Sequence, residues 1–267
     1  MLVGADVSHW RGKIDWVTAA AHIRFAILKC TEGTGFIDDT YNFNKAGCEI
    51  NQVPHGAYHF FHSNLDGIAQ AEHFYNTAND SNLKFYAVDV ETYDGGDIRA
   101  NLKTMLERLE QLSGQVPWIY TAYYFWKDKV GAQPWASRCP LWVANYGIGP
   151  PMLPPGWSEW GIWQYSSHGV VPGINGDVDM NYFAKSEAYL PIVFGNGEVP
   201  PPPQYYNVRT TAGSLYVRNA PRGIIKGYVP YGTRFQVIGE AHDNTGYRWL
   251  RVGDNSYVGA SWTEVIE

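Results

Sequence analysis

Phe85-Tyr-Ala-Val-Asp-Val-Glu91 is a run of β-favouring residues that ends in two carboxylates spaced i, i+2. In a strand, side chains alternate between faces, so Asp89 and Glu91 point the same way. At about 3.3 Å per residue their Cα atoms lie roughly 6.6 Å apart. That spacing brings two carboxyls into the range that glycoside hydrolysis uses, about 5–5.5 Å for retention and about 6.5–9.5 Å for inversion. Like charges that close push their pKa values apart, which suits one to an acid and the other to a base or nucleophile. Alone, an Asp-x-Glu at a strand end serves a salt bridge just as well.

The surroundings of this stretch set the fold. β-like runs recur at Leu2–Val7, Phe25–Thr31, Gly56–Phe61, Phe85–Glu91, Trp118–Thr121, Leu141–Asn145, Ile162–Tyr165 and Val178–Tyr182. Between the early ones, residues 40–48, 67–78 and 98–112 carry apolar residues at helical spacing, such as Ile98, Leu102, Met105, Leu106 and Leu109. Strand–helix alternation implies parallel strands. Later connections such as Gly147–Gly156 are too rich in Pro and Gly for full helices. The fold class is therefore α/β, an irregular TIM-like barrel with eight strands and fewer than eight helices. In such barrels the chemistry lies at the C-terminal strand ends, where Asp6, Thr31, Glu32, His59, Asp89, Glu91, Tyr120 and Asn145 all fall.

Val199-Pro-Pro-Pro-Pro203 marks a boundary, because a proline run forms an extended, semi-rigid spacer. Residues 1–203 carry a net charge of −8, and residues 204–267 carry +2. The tail alternates in short runs, Leu215-Tyr-Val-Arg, Arg234-Phe-Gln-Val-Ile, Arg248-Trp-Leu-Arg-Val and Ser256-Tyr-Val, separated by Gly- and Asn-rich turns. This is an all-β pattern, expected as a small barrel. The division is a catalytic domain at 1–196, a proline-rich linker at 197–204 and a small β domain at 205–267.

The 267 residues are 45% hydrophobic and 17% charged, a globular composition. Eleven Trp and 19 Tyr suit stacking on sugar rings, although a large aromatic core has the same composition. A net charge of −6 argues against nucleic acid as a partner. No apolar run is long enough to span a bilayer. Cys30, Cys48 and Cys139 form no Cys-x-x-Cys pair and are odd in number, so neither a zinc site nor a disulfide framework is indicated. No metal and no cofactor is expected. The first residues lack a basic segment followed by an apolar one. With Met1 as the start, synthesis in the cytoplasm without a cleavable export signal is expected.

Together these pieces resemble family 25 glycoside hydrolases, the Chalaropsis-type lysozymes. Asp6-Val-Ser-His-Trp-Arg-Gly-Lys-Ile-Asp-Trp16 looks like the family's opening. Phe25-Ala-Ile-Leu-Lys-Cys-Thr-Glu-Gly33, with Asp38 and Asp39 after it, is similar to its second strand and loop. His55-Gly-Ala-Tyr-His-Phe60, Val88-Asp-Val-Glu91, Trp163-Gln-Tyr165 and Gly176-Asp-Val-Asp-Met-Asn181 continue the match in the family's order. The likeness covers roughly residues 1–190 and departs at Arg11, where the family has a Gln before the Gly. The tail resembles a bacterial SH3-like cell-wall-binding domain through Leu215-Tyr-Val-Arg-Asn and Trp249-Leu-Arg-Val.

The resemblance implies hydrolysis of the β-1,4 bond between N-acetylmuramic acid and N-acetylglucosamine in peptidoglycan. It makes Glu91 the general acid and Asp89 the nucleophile, or the group that steadies an attacking substrate N-acetyl. Asp6 and Asp179 match the remaining acidic positions and are expected on neighbouring strands where the barrel closes. Candidate substrate contacts are Tyr58, His59, Tyr120, Trp142, Asn145, Gln164, Lys29 and Glu32, any of which could instead serve the core or pair internally. The expected partner is bacterial peptidoglycan, with no membrane, and the chain is expected as a monomer. A wall-binding tail without an export signal points to a phage endolysin released to the wall after synthesis, or to secretion by another route. The competing classes are a metal-dependent hydrolase, since four acids at one mouth could hold a divalent cation, and a non-catalytic wall-glycan binder. Against the metal stands the absence of His-x-His or His-Glu-x-x-His spacing.

Overall fold

The computed structural model describes residues 2–78, 80, 82–147, 149–184, 190–194, 206–237, 239–243, 245–253 and 256–266. The chain divides into two compact units, with the main boundary between residues 199 and 200. The linker expected at 197–204 lies outside the described residues.

The larger unit contains β1 (Leu2–Val7), β2 (Ala26–Glu32), β3 (Phe36–Ile37), β4 (His55–Phe60), β5 (Tyr86–Asp89), β6 (Trp118–Ala122), β7 (Leu141–Ala144), β8 (Ile162–Gly169) and β9 (Val178–Phe183). The order β1-β9-β8-β7-β6-β5-β4-β2, with β1 pairing back to β2, closes an eight-stranded barrel, and β3 is a short flap on β2. Pairing is parallel from β1 through β2 and on to β8. The last strand, β9, runs antiparallel to both of its neighbours.

The helices are α1 (Trp16–Ala19), α2 (Tyr41–Ile50), α3 (Gly67–Ala78), α4 (Ile98–Ser113), α5 (Tyr123–Lys129), α6 (Pro134–Ser137) and α7 (Leu190–Phe194). Only α2, α3 and α4 exceed two turns among the described residues, so the barrel is partly helix-clad. Helix α4 begins where the Asp97 carboxylate accepts the Arg99 and Ala100 N–H groups, and it ends at left-handed Gly114. Its buried stripe is Ile98, Leu102, Met105, Leu106 and Leu109.

Inward-pointing residues fill the barrel in layers. The lower layers hold Leu2, Phe25, Ile27, Phe85, Trp118, Ile162 and Phe183. Two glycines make room for the rings. A Cβ at Gly4 would lie 2.5 Å from the Phe25 ring, and one at Gly56 would lie 2.5 Å from the Phe85 ring. Above them pack Tyr58, Tyr120 and Trp142, with the Tyr120 and Trp142 ring centroids 4.5 Å apart.

The smaller unit is all-β, as its alternating runs imply, with β10 (Tyr206–Thr210), β11 (Ser214–Arg218), β12 (Ile225–Pro230), β13 (Arg234–Val237), β14 (Gly239–His242), β15 (Arg248–Gly253), β16 (Ser256–Gly259) and β17 (Thr263–Ile266). A small barrel was expected, and among the described residues its strands fall in two sheets. The strands make a three-stranded sheet, β13-β10-β17, and a five-stranded sheet, β12-β11-β16-β15-β14, and neither closes on itself. Along the chain the sheet changes between β10 and β11, β12 and β13, β13 and β14, and β16 and β17. Val208, Leu215, Val237, Leu250 and Val258 form the core of this unit.

Candidate active site

The C-terminal ends of the parallel strands open on a cleft of about 210 Å³. Asp6, Lys29, Tyr58, Asp89, Glu91 and Asp179 line it, joined by Val7, Ser8, Trp10, Arg11 and Phe60. Strand β5 ends at Asp89, so Glu91 lies two residues past the regular strand. The extended path nevertheless continues, since the Val90 N–H donates to the Tyr120 carbonyl at 2.9 Å. This keeps Glu91 on the same side as Asp89. Asp6 and Asp179 are direct cross-strand partners in the β1–β9 pair, so two carboxyls face each other where the barrel closes.

The four acids differ in their support. Asp6 Oδ1 accepts from Gln164 Nε2 at 2.9 Å and from Asn181 Nδ2 at 2.7 Å. Gln164 is held in turn by the Tyr120 and Tyr146 hydroxyls, which donate to its Oε1 at 2.9 and 2.6 Å, and Trp142 Nε1 donates to Asn181 Oδ1 at 2.8 Å. Burial, and then the neighbouring Asp179 charge, push the Asp6 carboxyl up to about 8 against the pull of its two amide donors. Asp89 is also buried, and its Oδ1 has no hydrogen-bond partner among the described residues. Burial raises its pKa well above the ordinary value, followed by repulsion from Glu91 and Asp6.

Glu91 has a solvent-facing carboxyl at the cleft mouth that protein atoms nonetheless crowd. Its pKa is raised, first by that crowding and then by Asp179, while Lys29 and the Tyr120 hydroxyl work the other way. Asp89 and Glu91 sit too close to carry two negative charges readily, so the pair tends to keep one proton between them. Asp179 is raised by burial, with Arg11 opposing. Arg11 is the residue that departs from the family's Gln, and its guanidinium also donates to the Asp177 carbonyl. Two neighbouring carboxyls that share one proton can deliver it on one side and support developing positive charge on the other.

The other sequence candidates take different places. Lys29 and Tyr58 line the cleft. Tyr120, Trp142 and Gln164 lie beneath it and hold Asp6 and its amide donors in place. Asn145 accepts from Trp163 Nε1 through its carbonyl and from the Met152 N–H through its side chain. Glu32 pairs with Lys29 Nζ at 2.7 Å.

His59 does not reach the cleft. Strand alternation turns Tyr58 and Phe60 inward and His59 outward, under α3. There its Nδ1 meets Thr31 Oγ1 at 2.8 Å and its Nε2 meets Gln70 Oε1 at 3.3 Å. Burial lowers its pKa to about 3, so it is a neutral structural imidazole.

Reasoning from sequence missed Trp10, Arg11 and Phe60 as cleft residues. Trp10 is 75% exposed at the rim, its ring tilted by 37° to that of His9 at 4.5 Å between centroids. A large exposed aromatic in a loop leading from Asp6 was the available signal. Possible metal ligands meet elsewhere among the described residues, at Glu49, His55 and Asp80. That group lies at the opposite end of β4 from the cleft, and Lys45 already stands 4.0 Å from Asp80 there.

The sequence pattern of glycosyl hydrolases family 25 matches residues 5–174, most of the barrel and three of its four mouth acids. The chain belongs to glycosyl hydrolases family 25. Lysozyme M1 of Streptomyces globisporus is 34% identical to this family 25 hydrolase over 205 residues, covering 70% of this chain and 69% of its own. The crystal structure of the bacterial lysozyme from Streptomyces coelicolor superposes with a TM-score of 0.67 at 32% identity, covering 73% of this chain and 98% of that one. The CTP1L endolysin superposes with a TM-score of 0.63 at 25% identity, covering 74% and 71%. The larger unit is thus a glycoside hydrolase barrel, and the acid-lined mouth is where its chemistry is expected.

Proposed function

We propose that this family 25 hydrolase is a lysozyme that cleaves the β-1,4 bond between N-acetylmuramic acid and N-acetylglucosamine in bacterial peptidoglycan. The observation that carries the reading is the carboxyl pair, Asp89 buried with an unpartnered oxygen and Glu91 raised in pKa at the same mouth. Glu91 gives its proton to the leaving glycosidic oxygen. Asp89 then meets the positive charge developing at the anomeric carbon, either by bonding to it or by orienting the substrate N-acetyl that does so. Both routes retain the anomeric configuration. Burial and then the Asp179 charge favour the protonated form of Glu91, and Asp6 is fixed by Gln164 and Asn181. Trp10 offers an exposed face on which a sugar ring can stack. Mass spectrometry of digested peptidoglycan tests this, with new reducing ends expected on N-acetylmuramic acid. Reducing ends on N-acetylglucosamine, or freed peptide stems, would overturn it.

The smaller unit is proposed as an SH3-like wall-binding module, and the whole chain as an endolysin-type enzyme acting as a monomer on the wall after release. The likeness to CTP1L supports the endolysin role. Wall binding is supported by a cavity of about 530 Å³ within this unit, walled by Tyr216, Tyr247, Trp249 and Trp262 beside Arg222 and Asp243. Trp262 is largely exposed, so replacing it leaves the small core in place. Trp262→Ala should weaken co-sedimentation with purified cell walls while soluble wall fragments are cleaved at the original rate. Unchanged co-sedimentation would exclude this cavity as the wall-binding surface.

A further inference from the structure

His62 lies two residues past the end of β4, on the rim beside the acid-lined mouth. Its ring is held between two carboxylates. Nδ1 stands 2.9 Å from Asp94 Oδ2 and Nε2 stands 3.1 Å from Glu32 Oε1. A carboxylate only accepts, and a neutral imidazole carries a single N–H. Both contacts are hydrogen bonds only when both ring nitrogens are protonated. The arrangement therefore selects the imidazolium: partial burial opposes the charge, but the two carboxylates together outweigh it and raise the His62 pKa.

Each carboxylate leads into the mouth. Glu32 accepts from Lys29 Nζ through its other oxygen, and Lys29 lines the cleft with Asp89 and Glu91. The Lys29 ammonium also lies over the Phe60 ring at 5.1 Å. Asp94 is three residues after Glu91 in the same loop, and its N–H donates to Ser63 Oγ at 2.8 Å. The His62 backbone cannot shift freely, because its N–H donates to Gln70 Oε1 and its carbonyl accepts from Gln70 Nε2. The charged and titratable groups around the ring are Lys29 and Glu32 on β2, Asp94 in the loop after β5, and His59 behind it on β4, which burial keeps neutral.

We propose that His62, as an imidazolium, is a positioning residue that clamps the Glu91 loop and the Lys29–Glu32 pair at the cleft mouth, and that its deprotonation releases the clamp. The proposal rests on the lysozyme reading for its consequence in catalysis, but not for the clamp itself. A raised histidine pKa means that the stabilisation is fully present below the ordinary histidine range and is lost as pH rises through the folded value. Neutral His62 can satisfy only one carboxylate, and the other then faces a ring lone pair. Turnover should therefore fall on the alkaline side before Glu91 alone would require it.

The test compares full-length wild type, His62→Arg and His62→Gln on soluble peptidoglycan fragments across pH, with kcat and KM resolved. His62→Arg keeps a fixed charge and fork-shaped donors. It should retain wild-type turnover at acidic pH and carry the alkaline limb to higher pH. His62→Gln should lose roughly tenfold in kcat at acidic pH, within the about 100-fold cost that a 1 Å misplacement can impose. An Arg limb that is unchanged or moved to lower pH would overturn the proposal, because a permanent charge acting only through space lowers the Glu91 pKa. The second arm follows the His62 ring by NMR in the full chain. Its pKa should lie above the ordinary histidine value and drop in Glu32→Gln and in Asp94→Asn. An ordinary value, or one indifferent to both substitutions, would sink the clamp. Failure of the chain to cleave any peptidoglycan would count against the lysozyme reading, and the NMR arm would still decide the clamp.

Discussion

Asp6→Asn should stabilise the larger unit, and by an amount that grows with pH. Asp6 is buried, and its carboxyl is pushed up to about 8 from an ordinary 3.8. The folded state therefore holds a proton that the unfolded chain releases above about pH 4. By linkage, wild-type stability is intact below the unfolded value and drains away as pH rises towards the folded one. At about 1.36 kcal/mol per pH unit the penalty is under about 1 kcal/mol at pH 4 and about 4 kcal/mol at pH 7. Asp179 relieves part of it by taking up a proton when Asp6 ionises, so the expected gain at pH 7 is about 2–4 kcal/mol. An asparagine oxygen can still accept from Gln164 and Asn181, so the change removes the charge and keeps the contacts. Denaturant titration followed by tryptophan fluorescence reads this unit, since only Trp249 and Trp262 of the eleven tryptophans lie beyond residue 200. Equal effects at pH 4 and pH 7 would refute the burial argument. A loss of stability at pH 7 would do more. It would mean that two amide donors, at about 1.5–3 kcal/mol each for a charged acceptor, outweigh desolvation and that Asp6 is ionised.

Glu91→Gln keeps the shape and removes the transferable proton, so turnover of peptidoglycan should drop by about 10²–10⁴-fold with the circular dichroism spectrum unchanged. Asp179→Asn removes the charge that raises Glu91, so the alkaline limb of the pH–rate profile should move to lower pH. An unmoved limb would dissociate Asp179 from the acid. Trp10→Ala should raise KM on soluble fragments by roughly fivefold, since covering about 40 Å² of sugar at about 25 cal/mol/Å² is worth about 1 kcal/mol, and should leave kcat nearly unchanged.

The barrel was legible because each strand segment is a compact apolar run between turn signals, and all eight fall where the alternation places them. Helices α2, α3 and α4 carry clear 3.6-residue stripes and were equally visible. The reversed direction of β9 was not anticipated, yet its signal is present. Only residues 170–177 separate β8 from β9, fewer than the dozen or so that a parallel crossover needs. In the smaller unit, alternation identifies strands but not partners. Which of eight short strands pair, and whether the sheets close, depends on contacts that no local pattern encodes.

The mouth acids were readable because their positions follow from strand ends, a local property. Where a candidate went astray, the alternation rule had been applied to Asp89 and Glu91 but not to their neighbours. Tyr58 and His59 are adjacent in one strand, so at most one of them can face the cleft, and the inward glycine at Gly56 assigns that face to Tyr58. Gln164, Tyr120 and Trp142 were drawn to the site for the right reason, since they point into the barrel, but one layer too high. A barrel interior is stacked, and polar residues beneath a charged mouth act through the groups above them. That is what Gln164 does for Asp6. The His62 bridge belongs to a third kind of feature. Its three members come from β2, the end of β4 and the loop after β5, so no spacing in the sequence announces them. They meet only because parallel barrel strands deliver their C-terminal loops to one rim. The same topology that brings two carboxyls of one heptapeptide to the mouth makes their supporting contacts long-range, and so visible only once the strands are in register.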